Sequence, residues 1–219
     1  MKCLITCGPS YEPMDQVRRL TNFSTGRLGI ELANFLVDQG HTASVLQGYY
    51  STYREPCRAH EVTVFTTGGS LLTRLKDVSA QHFDAVFHAA AISDFEFGKV
   101  YRRLKNGSLE AITSGKFTTR EGTLLAELEP TPKLLPELPQ MFPAARIFGW
   151  KFEVEGDRES AVALGVKQVR DWKTHFCVVN GPAYGTGYGL VDGDKTLVDC
   201  PTPDELYARL LEAATAPRD

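Results

Sequence analysis

Short apolar runs alternate along this chain with stretches of helical spacing, and that alternation narrows the possible folds more than any other feature. "KCLITC" at the start, then "ASVLQG", "EVTVFTT", "DAVFHAAA", "ARIFGWKFE" and "FCVVN" read as strands buried on both faces. Between them, "GIELANFLVDQGH" carries Ile30, Leu32, Ala33, Leu36 and Val37 at near-helical intervals, and "GGSLLTRLKDVSAQH" and "DRESAVALGVKQVRDWK" read as further helices. Strands feeding helices in this order predict an α/β fold with a doubly wound, mostly parallel, Rossmann-like sheet. Ligands of such sheets bind outside the carboxyl ends of the strands, so Gly8, the end of "TVFTTGG" and the end of "HAAAISDF" are expected on the functional side.

The rhythm breaks at residues 99–129. Turn signals at Asn106-Gly107, Ser114-Gly115 and Glu121-Gly122 predict short antiparallel strands or a mobile flap, with the basic residues Lys99, Arg102, Arg103, Lys105, Lys116 and Arg120 in it. A short helix after "TPKLLPEL", a hairpin "GLVDGDKTLVD" fixed by Asp192-Gly193, and a last helix from Thr202 complete the reading. With no linker, repeat or low-complexity tract, residues 1–219 are expected to form one domain.

Charge and cysteine content exclude several functions. The 24 basic and 27 acidic residues leave a formal charge of -3, so no global field recruits nucleic acid or an anionic membrane. Cys3, Cys7, Cys57, Cys177 and Cys200 are scattered and form no CxxC pair of the zinc or redox kind. No cleavable leader or bilayer-length apolar run is seen, which leads to the expectation of a soluble cytoplasmic protein. The first turn lacks GxGxxG and the second strand ends "LQGYYST" without a ribose-binding acid, which argues against a nicotinamide-dependent reductase. GxxxxGK(S/T) is missing as well.

What remains is a long loop after the first strand, holding Glu12, Asp15, Arg18, Arg19, Asn22, Ser24, Thr25 and Gly26. Ser24 or Thr25 suits a plain helix N-cap, and the same stretch suits an anion held by unpaired amides at a helix start; the spacing leaves both open. Arg18 adds a guanidinium able to take phosphate or carboxylate in a bidentate way. In "HAAAISDF", Ala90 and Ala91 let a ligand approach the backbone, and Asp94 suits either a divalent metal or a capped turn. His88, inside a strand, reads as a core histidine. Lys116, between Gly115 and Phe117, is either solvated or a cation that closes over developing negative charge.

Together these stretches resemble the phosphopantothenoylcysteine synthetase family. "CGPSYEPMDQVRRLTNFSTGRLG" looks like the family's Gly-Gly-Thr, Glu-Pro, Asp-x-Val-Arg, Asn-x-Ser-Ser-Gly-x-x-Gly signature, and "HAAAISDF" looks like its Ala-Ala-Ala-Val-Ser-Asp-Phe segment. "GKFTT" falls at the family's flap lysine, while "PKLL", "FGWKFEVE" and "VVNG" match the elements that follow. The resemblance implies ligation of 4'-phosphopantothenate to cysteine through an acyl-nucleotide intermediate, using ATP or CTP with Mg²⁺. It implies catalytic roles for Asn22 and Lys116, and substrate binding by Arg18, Ser24, Gly26, Ala90 and Ala91. Gly8, Asp94, Phe95, Trp150 and Asn180 would lie around the nucleotide, with Asp94 on the metal, in a pocket completed across a homodimer.

Departures from the pattern are informative. The family's flap often reads Lys-x-Lys-Lys, whereas here Thr118 and Thr119 replace two cations; Arg120, Lys105 or Arg103 are candidates to replace the charge. Trp150 stands where Phe is usual. Nothing corresponds to the flavin-dependent decarboxylase often fused to this ligase, so no flavin is expected. The competing reading is a degenerate homologue that binds nucleotide or phosphopantothenate as the partner of another coenzyme A enzyme.

Overall fold

β1 (Lys2–Cys7) is the strand around which the sheet is built. In the computed structural model, which describes residues 1–113, 115–118, 120 and 122–217, β1 pairs in parallel with β4 (Thr42–Gly48) on one edge and with β6 (Ala85–His88) on the other. β5 (Glu61–Phe65) extends the β4 side. β10 (Arg146–Phe152) and β11 (Phe176–Asn180) extend the β6 side, also in parallel, and β12 (Tyr188–Val191) and β13 (Leu197–Cys200) close that edge antiparallel. The order β13-β12-β11-β10-β6-β1-β4-β5 reverses direction at β1, as expected for a doubly wound Rossmann-like fold.

Alternation of side chains assigns each helix to a face. Cys3, Ile5, Phe87, Phe148 and Val178 point toward α1 (Arg27–Asp38) and α5 (Pro203–Thr215), which return Ile30, Ala33 and Leu36, and Leu206, Leu210 and Ala214, at helical intervals. Leu4, Val86 and Ile147 face α2 (Gly68–Val78) and the short α3 (Leu138–Met141), and Cys177 and Val179 face α4 (Arg158–Trp172). Phe148 stacks between Phe87 and Phe176, with centroids 4.6 and 5.0 Å apart, tying three adjacent strands together. α1 lies so close to β1 that a Cβ on Gly29 would fall 2.3 Å from the Cβ of Cys7. That contact fixes where α1 begins relative to the end of β1.

Helix ends follow local chemistry. Thr67 and Thr202 accept N–H groups of Ser70 and Glu205 at the starts of α2 and α5, and Asp157 with Ser160 forms a capping box on α4. The expected flap is a three-stranded antiparallel sheet of β7 (Phe95–Arg103), β8 (Leu109–Ile112) and β9 (Leu124–Pro130), which begins earlier than residue 99 because β7 starts straight after the β6 turn. Ser114, Thr119 and Glu121, which belong to two expected turns and the flap motif, lie outside the described residues. In the last hairpin, Asp192 organises the loop by accepting the N–H groups of Asp194 and Thr196, both at 2.9 Å, and Lys195, not Gly193, takes the left-handed conformation.

Two differences lie near the functional side. The loop after β1 contains a small hairpin, β2 (Tyr11–Pro13) with β3 (Arg19–Thr21), where only loop was expected. The strand expected over "DAVFHAAA" pairs only as far as His88; Ala89–Ala91 run on as extended chain, bridged to Pro9. Among the described residues no helix is long and apolar enough to cross a membrane.

His88 is buried with Nδ1 2.8 Å from Thr6 Oγ1, and burial pushes its imidazole down to about 4. Between the unfolded value near 6.5 and that folded value, the unfolded chain binds a proton that the folded chain does not. Stability therefore falls as pH drops through this window, by about 3 kcal/mol from this group alone. Urea unfolding at pH 7 and pH 4.5 checks it: the loss between the two is expected to be smaller in His88→Asn than in the parent.

Candidate functional site

The reversal of strand order at β1 leaves a crevice above the carboxyl ends of β1, β6, β10 and β11. A cavity of about 640 Å³ fills it, walled by Cys7, by Asn22–Gly29, by Ala89–Ala91, and by Trp150, Phe152 and Asn180. The first turn of α1 forms its floor. Gly26 is the residue before that turn, with φ 80°, and no side chain caps the helix. Neither Ser24 nor Thr25 is thus the N-cap that the spacing left open; Thr25 Oγ1 accepts only the Arg27 N–H, at 3.3 Å. Beyond the Arg27 amide, no side chain caps the first turn at the cavity wall, an arrangement suited to an anion.

Asn22 fastens the two sides of the crevice. Its Nδ2 donates to the Ala91 carbonyl at 2.7 Å, and its Oδ1 accepts the Ser24 N–H at 3.1 Å. One donor hydrogen and one acceptor lone pair are left over. Across the cavity, Trp150 Nε1 and Asn180 Oδ1 are buried with no hydrogen-bond partner. An unmet buried polar atom costs about 1–3 kcal/mol, and a donor and an acceptor left so in one cavity suit a polar ligand. Cys7 also reaches the wall, but burial pushes its thiol up to about 12, which keeps it protonated and poorly nucleophilic.

A second cavity of about 260 Å³ adjoins the first and shares Ala90, Trp150 and Phe152 with it. Its polar lining includes Asp94, Lys133 and Lys151. Asp94 is paired with Lys133, and among the described residues no three His, Cys, Asp or Glu side chains gather as a metal cage. This donor set fits a cation that arrives on phosphate oxygens and takes one protein carboxylate at most.

The fold therefore brings Asn22, Ser24, Gly26, Ala90, Ala91, Trp150 and Asn180 to one cavity and Asp94 to its neighbour. Four expected site residues line neither. Gly8 packs behind the floor, with φ 79° and Ser51 against it, and its carbonyl accepts the Ala91 N–H at 3.0 Å. Phe95 is exposed at the start of β7. Arg18 pairs with Asp15 at 2.6 Å and donates to the Phe117 carbonyl at 3.1 Å. Lys116 sits exposed in the loop that Arg18 touches.

Arg27, at the first position of α1, lines the larger cavity and escaped the sequence reading. Its signal was a local conflict: a cation at a helix start opposes the helix dipole, and such conflicts concentrate at functional sites. Glu31 takes the Arg27 Nε–H at 2.7 Å and also accepts Tyr53 and Tyr207 hydroxyls at 2.7 and 2.8 Å. Burial alone would raise the Glu31 carboxyl; the hydrogen bonds from Tyr53, Arg27 and Tyr207 outweigh it and hold it below the usual range. Pinned through Nε, the guanidinium keeps its two terminal nitrogens for another anion.

Known proteins resemble the chain as a whole. A family model described as the DNA/pantothenate metabolism flavoprotein C-terminal domain matches residues 1–199. The coenzyme A biosynthesis bifunctional protein CoaBC of Thermococcus kodakarensis is 27% identical over 179 residues, covering 82% of this chain and 41% of that protein. Its namesake from Methanocaldococcus jannaschii is 25% identical, covering 82% and 40%. The chain thus spans about two fifths of the length of these relatives. A structure of the DNA/pantothenate metabolism flavoprotein from Streptococcus pneumoniae matches with a TM-score of 0.81 at 21% identity, over 97% of each chain. A Cab2 mutant in complex with phosphopantothenate-cysteine matches with a TM-score of 0.72 at 20% identity, over 97% of this chain and 85% of that one. At these identities the structural likeness establishes the fold.

Arg27→Gln is expected to weaken binding of inorganic pyrophosphate by about 10-fold or more, the loss of one charge-assisted contact, while thermal unfolding barely moves. Titration calorimetry reads the first and a melting curve the second.

Proposed function

Because the chain belongs to the family of DNA/pantothenate metabolism flavoprotein C-terminal domains, we propose that it joins 4'-phosphopantothenate to cysteine, a step of coenzyme A biosynthesis, through an acyl-nucleotide intermediate. The observation that carries this reading is the shared wall: two cavities of different size and polarity meet at Ala90, Trp150 and Phe152, so two ligands lying in them are neighbours. A ligase that first activates a carboxylate on a nucleoside triphosphate, ATP or CTP, needs such a meeting place.

In the first step a carboxylate oxygen of phosphopantothenate attacks the α-phosphorus of the nucleotide, and pyrophosphate leaves with the electron pair of the broken P–O bond. In the second the cysteine amine attacks the acyl carbon, the bond to the nucleotide phosphate breaks, nucleoside monophosphate leaves, and the amine proton passes to solvent. Neither step needs a protein nucleophile. Both bring anions together, so the site's task is to orient them and offset charge.

The residues divide that task. Asn22 offers its spare N–H to the activated acyl group, and the cavity wall formed by Ser24, Gly26, Ala90 and Ala91 seats the phosphopantothenate, with Arg27 beside it. Trp150 Nε1 and Asn180 Oδ1 meet polar groups of the nucleotide, and Gly8 and Phe95 support that side. Asp94 would hold Mg²⁺ on that side, and the metal would supply charge neutralisation for the phosphates. Lys116 reaches over the bound substrates from its loop. The reading includes a cytoplasmic homodimer of one-domain chains; the dimer is supported by Phe23, which lines the larger cavity fully exposed, and by Val17 and Leu20, exposed on the hairpin that precedes it. The chemistry so written calls on no flavin.

Incubation with 4'-phosphopantothenate, cysteine, Mg²⁺ and either ATP or CTP tests the proposal, following pyrophosphate and product mass. Pyrophosphate with the cysteine adduct is expected in at least one arm; its absence in both overturns the reading. Asn22→Ala is expected to lower turnover about 100-fold, as removal of an oxyanion-type donor does.

A further inference from the structure

The loop that carries Lys116 is tied to one place. Gly115 accepts the Gln16 N–H at 3.0 Å, Phe117 donates its N–H to Asp15 Oδ2 at 3.3 Å, and the Phe117 carbonyl accepts an Arg18 N–H at 3.1 Å. All three partners come from the turn between β2 and β3. The approach is close: a Cβ on Gly115 would lie 2.9 Å from the side-chain nitrogen Nε2 of Gln16, and Phe117 is 6% exposed. At the centre is the Asp15 carboxylate. Its side chain is 1% exposed, it accepts the Val17 and Arg18 N–H groups at 2.8 and 2.6 Å, and it pairs with the Arg18 guanidinium at 2.6 Å. Burial alone would raise this carboxyl, but the amides of Val17, Arg18 and Phe117 together with the guanidinium outweigh it and hold it below the usual range.

We infer that Asp15 is a positioning residue: with Arg18 it holds residues 115–117 against the β2–β3 turn and so sets where the Lys116 ammonium stands. The inference rests on the ligase reading for its effect on rate, though not for the tie itself. It gives Arg18 a different task from the substrate contact expected of it. Asp15 touches no substrate; it acts through Lys116. The hairpin it belongs to is itself anchored, since Tyr11 donates its N–H to the Thr66 carbonyl and Glu12 accepts the Gly68 N–H at the start of α2. The loop of Lys116 is thereby referred to the sheet through a chain of hydrogen bonds.

The test combines hydrogen exchange with a double-mutant cycle on the full chain. In Asp15→Ala the Phe117 amide is expected to exchange at least about 10-fold faster than in the parent, as a lost tertiary hydrogen bond permits; an unchanged rate overturns the inference. In the ligation assay Asp15→Ala is expected to lower kcat with the KM for cysteine unchanged, and to add nothing in a Lys116→Gln background. An equal loss in both backgrounds overturns it. If the parent protein ligates nothing, the ligase reading fails and Phe117 exchange alone decides the tie. Should Asp15→Ala not fold, Arg18→Ala removes the bond to the Phe117 carbonyl from a half-exposed side chain, and the kinetic comparison applies to it: a loss of kcat as large in the Lys116→Gln background overturns the inference.

Discussion

β1 is paired in parallel on both of its edges, and most of the functional side follows from that pairing. Because the strands on its two sides are reached by crossovers that run opposite ways, the chain cannot cover the ends of β1 and β6, and a crevice remains there. The close seat of Gly29 on Cys7 then puts the first turn of α1 at the floor of this crevice. A bulkier residue at either position would lift the helix and move every amide that faces the cavity.

The crevice and the loop of Lys116 are each held by hydrogen bonds between segments far apart in sequence. Asn22 bonds Ala91 across 69 positions, and Arg18 bonds Phe117 across 99. These bonds leave the buried polar atoms of Trp150 and Asn180 unmet, so the cavity is finished mechanically and unfinished electrically. Positive charge is placed in the same spirit. Arg27 keeps its bond to Glu31 through Nε, and Lys133 is engaged by one carboxylate, a modest interaction at a solvent-exposed position that a multiply charged ligand can outcompete.

The central strands were legible because burial on both faces writes them as unbroken apolar runs, and α4 and α5 because Asp157 and Thr202 announce their starts. β2 and β3 were not. Each has three residues, β3 is exposed throughout, and the hairpin exists through bonds to Thr66 and Gly68 that no local pattern encodes. The same divide runs through the site. Asn22, Ala90, Ala91 and Asn180 stand in motifs long enough to recognise, and they meet at one cavity. The place of Arg18 depended on a tertiary contact with a loop a hundred or so residues on, and Arg27 was hidden because a basic residue at a helix start looks like an ordinary surface charge.

Glu31 receives Tyr207 from α5 as well as Arg27 from the floor of the cavity, and α5 begins after residue 199, where the family match ends. A ligand that holds Arg27 in place therefore also holds the carboxylate on which Tyr207 rests. By thermodynamic linkage, whatever docks α5 more firmly favours the ligand, and the ligand in turn disfavours detachment of α5. The last helix of the chain is a gauge of occupancy at a crevice it does not line.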